Sequence, residues 1–147
     1  MDIVKNIDAD IVSFMKNQDK ANLTTLRMAK NALQSEKIRV NHELNDDEII
    51  NTLKKFVKQK KDNIEEYTKY GKDDIVNDLK REVELVSKYL PEELSEDEIN
   101  KGLDEIFAKV NPTSIKDMGR LMAEANTLFG VKADKSLVSK LIKDRLI

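Results

Sequence analysis

Cysteine is absent from the 147 residues. That excludes a disulfide framework, a thiolate nucleophile, cysteine-type zinc sites and cysteine-ligated iron–sulfur clusters. A single histidine, His42, rules out a His–His metal pair within the chain. There is no tryptophan and aromatics are only 5%, which speaks against a base-stacking surface of the kind single-strand binders use. No apolar run approaches the roughly 18–20 residues needed to span a bilayer. The opening MDIVKNIDADIV carries acids early and no continuous apolar stretch, so neither a signal nor a transit peptide is expected, and the chain is expected to be cytoplasmic. Net charge is −2, from 26 basic and 28 acidic residues, which argues against coating nucleic acid through bulk charge but leaves room for a local basic patch. With only 4 glycines and 2 prolines among 37% charged and 39% hydrophobic residues, long helices are favoured over sheet.

Helical periodicity runs through almost the whole chain. Ile3, Ile7, Ile11 and Phe14/Met15 recur at spacings of four and three, with Lys5, Asp8, Asp10 and Lys16 off the stripe. Asn17-Gln18-Asp19 breaks the pattern. A second helix over 20–40 carries Leu23, Leu26, Ala29 and Leu33 on one side and Met28 and Ala32 on another, as expected of a helix packed between neighbours. Asn45 with Glu48 reads as a capping box. It opens the longest helix, with Ile49, Leu53, Phe56/Val57, Ile64 and Tyr67 inward and Gly71 as a left-handed terminator. Asp73 or Asp74 is expected to cap the next helix, whose stripe is Ile75, Leu79, Val83, Val86 and Leu90 and which stops against Pro91. Ser95 with Glu98 repeats the capping box ahead of Ile99, Leu103, Ile106/Phe107 and Val110. Ser114 caps a helix with Ile115, Met118, Met122 and Ala125 inward, ended by Gly130, and Asp134 caps a last one with Leu137, Val138, Leu141 and Ile142. The pattern predicts an all-α fold: an N-terminal four-helix unit over 1–93 and a small C-terminal three-helix unit over 94–147.

Catalysis needs a cluster of mutually tuned groups, such as Ser or Lys beside a His, or paired carboxylates in a cleft. The carboxylates here fall at helix starts and on polar faces, where caps and solvated charge explain them. His42 sits in a polar connector between Asn41 and Glu43. No Gly-x-Gly-x-x-Gly, Walker, EF-hand or His-Glu-x-x-His pattern occurs. No catalytic residue, metal ligand or cofactor site is expected.

Two basic clusters remain. Lys54, Lys58 and Lys61 share one face of the longest helix, either as a solvated face or as phosphate contacts. Lys60 falls in the middle of the apolar stripe, where its stem packs and its amine snorkels to water, the alternative being that it points into an interdomain groove. Residues 131–147 hold Lys132, Lys135, Lys140, Lys143 and Arg145 against Asp134 and Asp144, a net of +3, after a stretch over 95–130 with a net of −3. Lys143 and Arg145 suit a helix C-terminus. Lys132 and Lys135 flank the start of the last helix, where positive charge is unfavourable and free N–H groups favour an anion.

Several motifs bear on the family. The run from Lys58 to Glu65, Tyr70-Gly71-Lys72-Asp73-Asp74 and Tyr89-Leu90-Pro91-Glu92-Glu93-Leu94-Ser95-Glu96 resembles the YqeY-like family. So do Leu26-Arg27-Met28, Met118-Gly119-Arg120-Leu121-Met122 and Lys132-Ala133-Asp134. The matches run in order along nearly the full chain, and Tyr-Leu-Pro-Glu-Glu-Leu is the most specific. That family is homologous to the C-terminal part of the B subunit of the tRNA-dependent amidotransferase, whose chemistry and metal sites lie in other domains. The resemblance implies a non-catalytic accessory module that contacts tRNA, with Arg120, Lys132 and Lys135 as the positions that carry over. Where relatives often have a second glycine and a lysine-glycine pair, this chain reads Gly130-Val131-Lys132-Ala133-Asp134-Lys135, which leaves the turn less backbone freedom. The expected partners are tRNA or an aminoacyl-tRNA synthetase or amidotransferase complex, with no membrane and no small-molecule substrate. The alternative is a protein–protein adaptor docking on such a partner without touching RNA.

Overall fold

The computed structural model describes residues 2–146. Among them are seven α-helices and no strand: α1 (Ile3–Lys16), α2 (Lys20–Val40), α3 (Asp46–Lys69), α4 (Asp73–Ser87), α5 (Glu96–Val110), α6 (Met118–Phe129) and α7 (Lys135–Leu146). Short 3₁₀ turns at Ile115–Asp117 and Gly130–Lys132 flank α6. The chain divides into two compact units between Leu90 and Pro91. No helix among the described residues is long and apolar enough to cross a membrane.

Helix ends are fixed by short polar side chains and by residues that tolerate left-handed backbone. The side chains of Asp2 and Asp19 accept from the N–H groups of Lys5 and Asn22. Asn45 with Glu48, and Ser95 with Glu98, close reciprocal capping boxes at the starts of α3 and α5. Asn41 and Asn111 end α2 and α5 at φ 58 and 56. Gly71 and Gly130 adopt φ 69 and 57 after α3 and α6, a conformation that costs glycine little.

Several local expectations change. Asp73 and Asp74 lie inside the first turn of α4, and the capping position is Lys72, which makes no side-chain bond. The two carboxylates act there through the positive end of the helix. That helix stops at Ser87, because Tyr89 and Leu90 bond back to the carbonyls of Val86 and Ser87 in a tighter turn. Its inward stripe is Val76, Leu79, Glu82, Leu85 and Val86, with Ile75 43% exposed. Ile115 belongs to the 3₁₀ turn and is exposed, whereas α6 buries Leu121 and Phe129 along with the expected Ala125, and Met118 and Met122 pack against that core.

Each unit has its own core. In the first, Ile3 and Ile7 of α1, Leu26, Ala29 and Leu33 of α2, Leu53 and Val57 of α3, and Leu85 and Val86 of α4 pack together with Tyr89. Helix α2 touches α1, α3 and α4, but Met28 on its second apolar side stays exposed. In the second, Ile99, Leu103 and Ile106 meet Leu121, Ala125 and Phe129, then Ala133, Val138 and Ile142.

Lys60 does not snorkel to water. Its amine lies 3.0 Å from Oε2 of Glu82, with side chains only 15% and 12% exposed, and 5.2 Å from the centroid of the Phe56 ring. Beside it, Arg81 donates to Asn22 and Thr25 of α2 and to Asp78 of its own helix. A polar seam therefore stitches α2, α3 and α4 alongside their apolar contacts. Such a pair adds little net stability over a hydrophobic replacement, but removing one partner strands a buried charge.

Two stability predictions follow from the packing. Lys60→Met should lower the unfolding free energy by about 3 kcal/mol, and adding Glu82→Leu should restore most of it, as read from urea melts of the single and double variants. Gly102→Ala should go against helix propensity. In an open helix it would stabilise by about 1 kcal/mol, but here a Cβ would sit 2.4 Å from Cε1 of the buried Phe129 ring. A loss of about 1–3 kcal/mol is expected, measured by the same melts.

Candidate functional site

The basic residues singled out from sequence divide by whether the fold already uses them. Lys54 is half-buried on α3, so the expected three-lysine face reduces to Lys58 and Lys61 as its exposed members. Arg120 is exposed on α6 with its guanidinium 3.8 Å from Asp117. The turn that carries Thr113 and Ser114 donates two backbone N–H bonds to the Asp117 carboxylate, and these hold its pKa below the ordinary value. Lys132, Lys135, Lys140 and Lys143 are all exposed in the second unit. Among the described residues these four, like Lys58 and Lys61, form no ion pair. The α3 lysines and the C-terminal ones belong to different units.

The last helix is less free than its composition suggests. Arg145 turns back onto α5, donating to Asp104 at 2.8 Å and to the carbonyl of Asn100 at 3.0 Å, with its guanidinium 5.3 Å from the Phe107 ring centroid. Its role is to fasten α7. At the other end, the Asp134 carboxylate accepts from the N–H of Ser136 at 3.1 Å, and the Lys132 carbonyl accepts from the N–H of Leu94 at 2.8 Å. The start of α7 thus carries an anion of its own. A carboxylate there offsets part of the cost of placing Lys132 and Lys135 at the positive end, so their position points to an external anion less strongly than the sequence does.

His42 is exposed, with Nδ1 2.8 Å from the Glu43 carbonyl and Nε2 3.5 Å from Glu48. No group of three or more metal-ligating side chains is assembled among the described residues.

The first unit contains a feature that sequence reasoning did not find. Asn6, Asp10 and Phe14 recur every fourth residue along one side of α1. With Ala9, and with Leu85, Lys88 and Tyr89 at the end of α4, they line an open cleft of about 390 Å³. Tyr89, 8% exposed, donates its phenolic proton to Oδ2 of Asp10. Burial, then the hydrogen bond and the negative charge of Asp10, push its pKa well above the ordinary tyrosine value. The available signal was a tyrosine three residues after the buried Val86, whose hydroxyl needs a partner once its ring is buried. Asp10, read only as an off-stripe polar residue, supplies it.

A pH prediction comes from that pair. Because the folded pKa of Tyr89 exceeds the unfolded one, its contribution to stability is complete below about pH 10 and is lost as pH rises further and the unfolded phenol ionises. Urea melts from about pH 9 to about pH 11 should show a steeper alkaline loss for the native chain than for Tyr89→Phe.

No curated protein matches the chain. The family model described as Yqey-like protein matches residues 4–146, which takes in both helical units and nearly the whole sequence. On that match, the chain belongs to the Yqey-like protein family.

Proposed function

We propose that this chain is a non-catalytic accessory module that binds tRNA, or a complex carrying tRNA, through the lysines of its C-terminal unit. The carrying observation is the local excess of positive charge over residues 131–147, five basic residues against two acidic ones. Lys60, Arg81, Lys109 and Arg145 are spent on internal ion pairs, while Lys132, Lys135, Lys140 and Lys143 project from one short segment with none. Lys140 and Lys143 share the outer side of α7, away from the buried Val138 and Ile142. Flexible, unpaired amines of this kind neutralise backbone phosphates without reading sequence, and they suit recognition of a folded RNA by its shape. Arg120, exposed on α6, is the candidate to extend that surface. Family membership supports a small helical protein and is consistent with the resemblance to an amidotransferase accessory region.

The adaptor reading has one observation in its favour. Tyr70, 70% exposed, and Ile75, 43% exposed, stand near the turn that joins α3 to α4, where a protein partner would find apolar contact.

The two readings separate in a titration of the full chain with bulk tRNA across a salt series. RNA contact predicts affinity that falls steeply with salt, and a logarithmic slope reduced by about 1 for each lysine removed in Lys132→Glu/Lys135→Glu and Lys140→Glu/Lys143→Glu. Affinity no greater than for an unrelated polyanion, or unchanged in both double variants, rejects it.

A further inference from the structure

The cleft beside Tyr89 has polar groups that the fold leaves unused. Asp10 holds its carboxylate in place through the Tyr89 hydroxyl at Oδ2, and Oδ1 has no hydrogen-bond partner among the described residues. Asn6 and Lys88 are exposed, and among the described residues their side chains make no hydrogen bond or ion pair. Phe14 and Leu85, half-buried and buried respectively, contribute apolar wall.

The charge on the rim selects a ligand class. A simple anion entering the cleft meets Asp10, and a simple cation, such as an arginine from a partner protein, meets Lys88. Both charges are answered by a molecule with N–H donors at one end, an anionic group at the other and a flat apolar body between. A volume of about 390 Å³ is larger than an amino acid zwitterion needs and accommodates a nucleotide. Among the bases, guanine presents N1–H and an amino N–H side by side, the geometry that donates in parallel to a carboxylate. Its O6 and N7 accept from an amide such as that of Asn6, its face can lie on an aromatic ring, and a lysine answers its phosphate. We infer that this cleft receives one unpaired guanine nucleotide of RNA, with Asp10 reading the base edge, Phe14 supplying the ring contact and Lys88 holding the phosphate. The scarcity of aromatics argues against a stacking platform that tracks a strand, but a single-nucleotide cleft needs only one ring.

This inference rests on the RNA reading above for the source of the nucleotide, yet its ligand test stands apart from it. Guanosine monophosphate is titrated into the full chain, following the ring protons of Phe14 and Tyr89 by NMR. Saturable shifts are expected with a dissociation constant on the order of 1 mM. Inosine monophosphate, which lacks the amino group, should bind about tenfold more weakly. Asp10→Asn, which keeps an oxygen for the Tyr89 hydroxyl and so preserves the fold as checked by circular dichroism, should weaken guanosine monophosphate about tenfold. Lys88→Met should weaken the monophosphate but leave guanosine unchanged. Shifts that stay linear in ligand, that match for the inosine analogue, or that survive Asp10→Asn overturn the assignment. So does free aspartate, or an arginine derivative, saturating the same protons more tightly. If the lysine variants leave tRNA affinity untouched while guanosine monophosphate still saturates the cleft, the tRNA surface is lost and the nucleotide site stands. The opposite pattern removes the cleft alone.

Discussion

Helix amphipathicity is the constraint on which everything else here depends. With no cysteine to form a disulfide, each compact unit holds together because every helix turns one apolar stripe toward a shared core. In the first unit the fully buried Ile7, Leu26, Leu53 and Val86 come from four different helices. In the second, Ile99, Leu103, Leu121 and Ile142 come from three. A stripe needs its helix to start and stop in the right register, which explains the weight carried by Asn45, Ser95, Asn41 and Asn111. A one-residue error at a cap rotates the stripe by about 100° and turns a buried leucine into solvent.

Charge is distributed on the same logic. Cations and anions that fall on a stripe are paired across helices, as Lys60 and Glu82 are, and those at helix ends answer the helix dipole or hold a turn, as Arg145 and Asp117 do. Most of the surface lysines form no ion pair among the described residues, and Lys132, Lys135, Lys140 and Lys143 are the ones that fall within a single short segment. Surface lysines lose side-chain freedom when they bind, so a module built this way has weak contacts with a polyanion unless several act together.

The cleft at Tyr89 obeys a different rule. The hydroxyl of a buried tyrosine requires a partner, and the side chain that satisfies it, Asp10, is thereby fixed in orientation. Lys88, the residue just before it in the turn, is exposed and is left at the rim. A polar site thus arises as a by-product of ending α4 with a tight turn at Lys88-Tyr89-Leu90.

Fold class and most helix boundaries were legible in the sequence, because hydrophobic period and capping chemistry are properties of neighbours along the chain. Asn45 with Glu48, Ser95 with Glu98 and the left-handed Gly71 and Gly130 could all be read without coordinates. Of the stripe expected for α4, Leu79, Val83, Val86 and Leu90 do reach the core, and only Ile75 gives way to its neighbour Val76, because the two are equally apolar and packing against the other helices decides which of them is buried. The same holds for Lys60, whose place on the stripe was visible but whose partner lies 22 positions away on another helix. The sequence by itself therefore determined the helices, their ends and the inventory of charges. The tertiary structure alone decided which of those charges are neutralised, which remain at the surface and where Asp10 meets Tyr89, because these depend on distances between helices that no local pattern encodes.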